Sequence, residues 1–271
     1  MTNTLNKKEA IRSLVKTAVE SYATGFQARH EGEVENPEGT LNMKIHNVFI
    51  AALGKDIQYY SALVRSLDSS LGNMLEKLAI SIAEFSYHVK KEVSGPLGPE
   101  QTAKIADLLE KYKRREITPP TVEDYQDLRT KPTDDSLVVK RHDSDYYLTD
   151  KETNEKYLVE LKIGGDLDNK KARSEKEALL EQFAILSNTL PKDEKINIRF
   201  ATAYNRYGED KPWKQERVRQ FFADDELLIG RDFWNFVCKN DNGYQIVLDA
   251  YKENAHLITE ALDSIKSTYL E

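Results

Sequence analysis

The chain has 271 residues, with 46 acidic side chains against 39 basic ones, and Cys238 is its single cysteine. That length can bury a large core, while the net charge of −7 disfavours a nonspecific DNA coater and one cysteine excludes a disulfide framework or a cysteine-built zinc site. No window reaches the roughly 18 apolar residues of a membrane span, and MTNTLNKKEAIRSLV lacks the apolar core of a secretory signal, so a soluble, cytoplasmic protein is expected.

The first half reads as helix. Ile11, Leu14, Ala18, Tyr22 and Phe26 form one apolar stripe, and residues 48–64 form a second, looser one. The loop between them, 31–40, is rich in Gly, Asn, Pro and Glu. A third helix is predicted from a cap at Asp68 or Ser69 through Leu71, Leu75, Leu78, Ile82, Phe85 and Val89. SGPLGPE reads as its breaker, a helix around Gln101–Arg115 follows, and TPP at 118–120 closes the region.

Beyond residue 135 the pattern changes. SLVVKRHDSDYYLTD predicts a strand or a bent strand pair, DKETNE a turn and KYLVELKIG a second strand. Helix returns over 174–188, and Ile196, Ile198 and Phe200 alternate as another strand. A basic helix near 213–222, the apolar piece LLIGRDFWNFVC, a strand YQIVL and a last helix complete the chain. The order of elements predicts a mixed α/β fold, with a helical region over 1–118 and a sheet-bearing core over 119–271.

The hairpin carries the chemistry. A strand places alternate side chains on one face, so Leu158, Glu160 and Lys162 share a face. With the turn centred between Glu152 and Thr153, facing residue numbers total 305, which sets Asp145 opposite Glu160 and Asp143 opposite Lys162. Two carboxylates roughly 5 Å apart repel unless a cation joins them. Mg²⁺ suits such a pair, because it takes a few carboxylate oxygens and keeps other positions for water and phosphate. Lys162 can then hold an attacking water or offset the charge of an anionic transition state, the requirements of phosphodiester hydrolysis. Acid-x-Lys also occurs at 168–170, 193–195 and 209–211, so the tripeptide gains meaning only from its apolar strand and the acid facing it.

Asp145…Glu160-Leu161-Lys162 resembles the PD-(D/E)xK nuclease signature, and ELKIGGDLDNKKARSEKEALLEQ is similar to type II restriction endonucleases of the TdeIII family. FATAYNRYGEDKPW and LLIGRDFWNFVC fit the same resemblance, which is strongest from about residue 136 to 240. It implies a restriction-endonuclease-like α/β core, a homodimer, Mg²⁺, double-stranded DNA cut at a short palindrome (GGNCC for this family) and a cognate methyltransferase. Ser144 stands where the signature has proline, so Asp143 remains the alternative first acid. SLDSSLGNMLEKLA resembles a helix supplying a further acid, Glu76, which lies in a stripe of mostly small residues with Gly72, Ala79 and Ala83. A repair or junction-resolving nuclease with the same site is the second enzymatic reading; a non-catalytic DNA-binding protein is the third.

For DNA contact the basic residues after the hairpin are candidates. Lys170, Lys171 and Arg173 flank the start of a predicted helix, where backbone N–H groups can also bind phosphate. Asn205, Arg206, Lys211, Lys214, Arg217 and Arg219 lie in 195–219, which holds seven basic and three acidic residues. Cys238, Trp213 and Trp234 read as packing residues, and His142 as an exposed histidine beside the hairpin.

Overall fold

The computed structural model describes residues 2–130 and 137–270, so Ser136, the first residue of the predicted hairpin, lies outside the described residues. By contacts the chain divides into two compact units, Met1–Ile82 with Gln245–Glu271 and Ala83–Tyr244. That division differs from a boundary at 118/119, since residues 83–118 pack with the sheet and 245–271 with the N-terminal helices.

In the first unit α1 (Thr2–Gly32) buries Ile11, Val15, Val19, Ala23 and Phe26. Leu14, Ala18 and Tyr22, expected in that stripe, lie on its half-buried flank. After α2 (Val48–Ala51), α3 (Lys55–Ala83) contributes Tyr59, Ala62 and Leu63 to a core shared with Phe26, Leu41 and Ile265 of the C-terminal helix. The helix predicted from residue 68 therefore begins a full 13 residues earlier, and it stops at Ala83, before Phe85 and Val89.

The second unit is a five-stranded sheet in the order β1-β2-β3-β4-β5, formed by β1 (Tyr87–Leu97), β2 (Val138–Asp150), β3 (Lys156–Leu161), β4 (Ile196–Thr202) and β5 (Leu227–Ile229). The first three strands pair antiparallel and the last two join in parallel. A parallel neighbour requires a crossover, and α5 (Asn169–Thr189) supplies it between β3 and β4. α4 (Pro99–Arg114), α6 (Glu216–Arg219) and α7 (Arg231–Cys238) complete the unit. Trp213, Trp234 and Cys238 are buried as expected.

Two predicted elements differ. SGPLGPE does not break the chain but runs through the end of β1, where Pro96 faces Val139. β1 is an edge strand, the position in a sheet that tolerates a residue without an N–H. Gly95 is required there by crowding, because a Cβ would stand 2.8 Å from Ile185 Cγ2 of α5. YQIVL belongs to α8 (Gly243–Asn254) rather than to a strand; Ile246, Val247 and Ala250 are its buried residues, a helical spacing that outweighs the β-branched composition. The final helix, α9 (His256–Leu270), agrees with expectation, whereas the basic helix near 213–222 shrinks to α6.

A buried ion pair ties α5 to the chain before β5. Lys176 Nζ donates to both Glu226 oxygens at 2.6 and 2.7 Å, with neither side chain exposed. Tyr125 Oη and the Ala223 N–H donate to the same carboxylate at 2.7 and 2.8 Å, and the ammonium lies over the Tyr125 and Phe222 rings. Removing one partner leaves an uncompensated buried charge, worth about 3–5 kcal/mol. Glu226→Ala is therefore expected to lower urea stability by about that amount, and Lys176→Met in the same chain to recover most of it; equal losses in the single and double variants would contradict this.

Candidate active site

The β2–β3 register is set at the turn. Asp150 Oδ1 accepts from the Glu152 and Thr153 N–H groups at 2.8 and 3.0 Å, and Asn154 adopts the left-handed conformation that completes the reversal. Lys239 Nζ adds an ion pair to Asp150 at 2.9 Å. From there Thr149 faces Lys156, Leu148 faces Tyr157, Tyr147 faces Leu158 and Tyr146 faces Val159, so facing numbers total 305 as the sequence predicts.

One step further, the Asp145 side chain takes over the ladder: Oδ2 accepts from the Leu161 N–H at 2.9 Å. On its other side the pairing with β1 is irregular, since Lys90 faces Tyr147 while Glu92 faces Asp143. Such a bulge re-aims side chains. Asp143 is exposed and lies opposite Glu92, whereas Asp145 is half-buried and bonded to the strand that bears Glu160.

Glu160 and Lys162 are held by β4. Glu160 faces Phe200, and the Lys162 N–H donates to the Ala201 carbonyl at 2.9 Å. Burial, reinforced by the negative charge of Asp145, pushes the Glu160 carboxyl up to about 8 from its ordinary 4.5. The Lys162 ammonium contacts the Glu160 carboxylate and lies 3.1 Å from Glu175 Oε1. Burial opposes its charge, but the two carboxylates outweigh burial and raise its pKa. Glu175, in the second turn of α5, is the residue that sequence reasoning missed. Nothing local marks it as different from the other acids of that helix.

The excess negative charge at Asp145 and Glu160 calls for a proton or a cation. Among the described residues no group of three or more His, Cys, Asp or Glu side chains forms a ready-made metal cage. Two carboxylates that feel one another's charge nevertheless fit a hard cation of the Mg²⁺ type, which uses few protein ligands.

The remaining candidates separate by what they touch. Lys170, Lys171, Lys211 and Lys214 are exposed, and Arg173 is half-buried. The α5 N-terminus is already capped by Asp168, which accepts from the Lys171 N–H at 2.8 Å, so that donor is not free for phosphate. Asn205 is buried; its Nδ2 donates to the Lys211 carbonyl at 2.7 Å and its Oδ1 accepts from the Tyr207 N–H at 3.0 Å. Arg206 pairs with Asp166 at 2.6 Å and Arg219 with Asp224 at 2.8 Å, while Arg217 is exposed. His142 is not the exposed histidine expected: Nε2 stands 2.8 Å from Glu181 Oε2, and Lys140 Nζ donates to the other oxygen at 2.7 Å. Glu76 lies half-buried on α3, in the helical unit.

A mixed sheet flanked by helices, with Asp145, Glu160 and Lys162 gathered where β2 meets β3, has the form of a restriction-endonuclease-like nuclease core. The comparison with protein families carries this further. The model described as type II restriction endonuclease, HinfI, matches residues 6–255, and the chain belongs to that family. It is a site-specific deoxyribonuclease. No curated protein and no solved structure matches the chain. Among the described residues no helix is long and apolar enough to cross a membrane.

The raised Glu160 pKa fixes the sign of a pH effect. The folded state holds a proton there that the unfolded chain releases above about pH 4.5, so metal-free stability falls as pH rises from about 4.5 to about 8. Glu160→Gln is expected to remove that fall. The variant should match the wild type near pH 4 and exceed it by on the order of a few kcal/mol near pH 8 in urea titrations with chelator. Parallel curves across this range would contradict the assignment.

Proposed function

We propose that this restriction endonuclease is Mg²⁺-dependent and hydrolyses both strands of duplex DNA at a short palindromic site. The observation that carries the reading is the Asp145 carboxylate bonded across to Leu161, one residue from Glu160 and next to Lys162. Asp145 and Glu160 would hold the ion; Asp143, exposed and opposite Glu92, is the less favoured first acid. When bound, the ion supplies Lewis-acid polarisation of the phosphate and a more acidic water. Lys162 orients the attacking water and offsets charge as the phosphorus becomes more anionic. Glu175 keeps the ammonium directed into the site when Glu160 is engaged elsewhere. Glu76 is proposed as a supporting acid, to be tested by Glu76→Gln.

The finer reading is that of the TdeIII group, with GGNCC as the target and a cognate methyltransferase protecting it; the similarity of 160–182 supports this. A cytoplasmic location is part of this proposal, because the DNA to be cut is met inside the cell. A homodimer fits a palindrome, because a two-fold axis presents one site to each strand. The exposed apolar side chains of Phe49, Leu53, Ile57, Tyr60 and Val64 in the helical unit favour such self-association.

Incubation with phage DNA and Mg²⁺ is expected to give discrete fragments whose ends map to one sequence, and chelation to abolish them. Glu160→Ala and Lys162→Ala should each lose at least about 10²-fold in rate while binding duplex DNA near wild-type affinity. Fragments that persist in Glu160→Ala would overturn the assignment, and ends mapping away from GGNCC would exclude that target alone.

A further inference from the structure

We infer that Tyr204 and Tyr207 are DNA-contact residues: the loop beyond β4 presents their rings, with Arg206 between them, to the nucleotides at the scissile phosphate. The inference rests on the nuclease reading above and adds to it the element that seats the substrate.

The loop is held firmly where it leaves the sheet. The Ala203 N–H donates to the Ile163 carbonyl at 3.1 Å, and the Ala203 carbonyl accepts from Trp234 Nε1 at 2.8 Å. Asn205 then braces the turn through the Lys211 carbonyl, the Tyr207 N–H and, by its own N–H, Glu209 Oε1 at 2.8 Å. Between these anchors Tyr204 remains 48% exposed and Tyr207 40% exposed, although large aromatic rings gain most by burial. A firmly held loop that keeps two rings in solvent is built for contact with something else.

The position of Tyr204 says what that is. A Cβ on Gly164 would stand 2.8 Å from the Tyr204 hydroxyl, so the phenol tip lies against the chain two residues beyond Lys162. The ring therefore lies against the segment that leaves the candidate active site, beyond the carboxyl ends of parallel β3 and β4, where open sheets bind ligands. On a duplex, where the base faces are stacked on one another, a tyrosine ring can pack against deoxyribose and its hydroxyl can donate to a backbone phosphate. Arg206 lies between the two tyrosines in sequence, with its charge held by Asp166, an exposed partner that a phosphate can replace.

The test uses the Glu160→Ala protein, so that DNA is bound without being cut, and a duplex carrying the mapped cleavage site with 5-iodo-deoxyuridine flanking the scissile phosphate. Irradiation is expected to crosslink the DNA to Tyr204 or Tyr207, located by mass spectrometry. In the same background Tyr204→Ala and Tyr207→Ala should weaken duplex binding roughly fivefold or more, with Tyr204→Phe within about threefold and thermal midpoints unchanged. Crosslinks confined to other residues, or Ala variants that bind as tightly as their parent, overturn the inference while cleavage by the wild type stands. A wild type that neither binds nor cuts duplex DNA overturns the nuclease reading and this inference together.

Discussion

Side chains alternate along a strand, so a slip of one residue between β2 and β3 would carry every acid of the hairpin to the opposite face. The chain prevents that slip at the turn, where Asp150 accepts two backbone N–H groups and is held in turn by Lys239. Everything at the candidate site follows from this register. Asp145 reaches the Leu161 N–H, Glu160 lies half-buried beside a second negative charge, and Lys162 is left between two carboxylates. Two acids that raise one another's cost of ionisation are unfavourable for folding alone, which is why the arrangement points to a cation.

α5 shows how one helix serves both core and chemistry. Glu175 reaches Lys162, while the next residue, Lys176, is fully buried against Glu226. Successive helical residues point about 100° apart, so the buried pair on one side fixes the rotation that aims Glu175 on the other. The close pass of Gly95 beneath Ile185 sets the same helix against the sheet. Stability and site geometry thus share one element.

The hairpin was legible because its determinants are local: a polar turn, flanking apolar strands and an alternation that fixes register. The β3–α5–β4 order was legible for the same reason. β1 was not, because SGPLGPE looks like a helix breaker until the strand is known to be an edge, where a residue without an N–H is tolerated. YQIVL misled because β-branched residues suggest a strand, whereas the burial of Ile246, Val247 and Ala250 reveals a helix. Asn205 was assigned to DNA from composition; the carbonyl it bonds, that of Lys211, is invisible without the fold. Glu175 and the partner of Lys176 depend on contacts across 13 and 50 residues, and no spacing rule specifies them.

The central claim is that the hairpin register makes Asp145 and Glu160 one divalent-cation site. Mn²⁺ binding, followed by titration calorimetry or by the loss of the free-ion electron paramagnetic signal, tests it directly on the protein without DNA. The account predicts saturable binding that is lost in Asp145→Asn and Glu160→Gln and kept in Asp143→Asn. Loss in Asp143→Asn with retention in Asp145→Asn would contradict it.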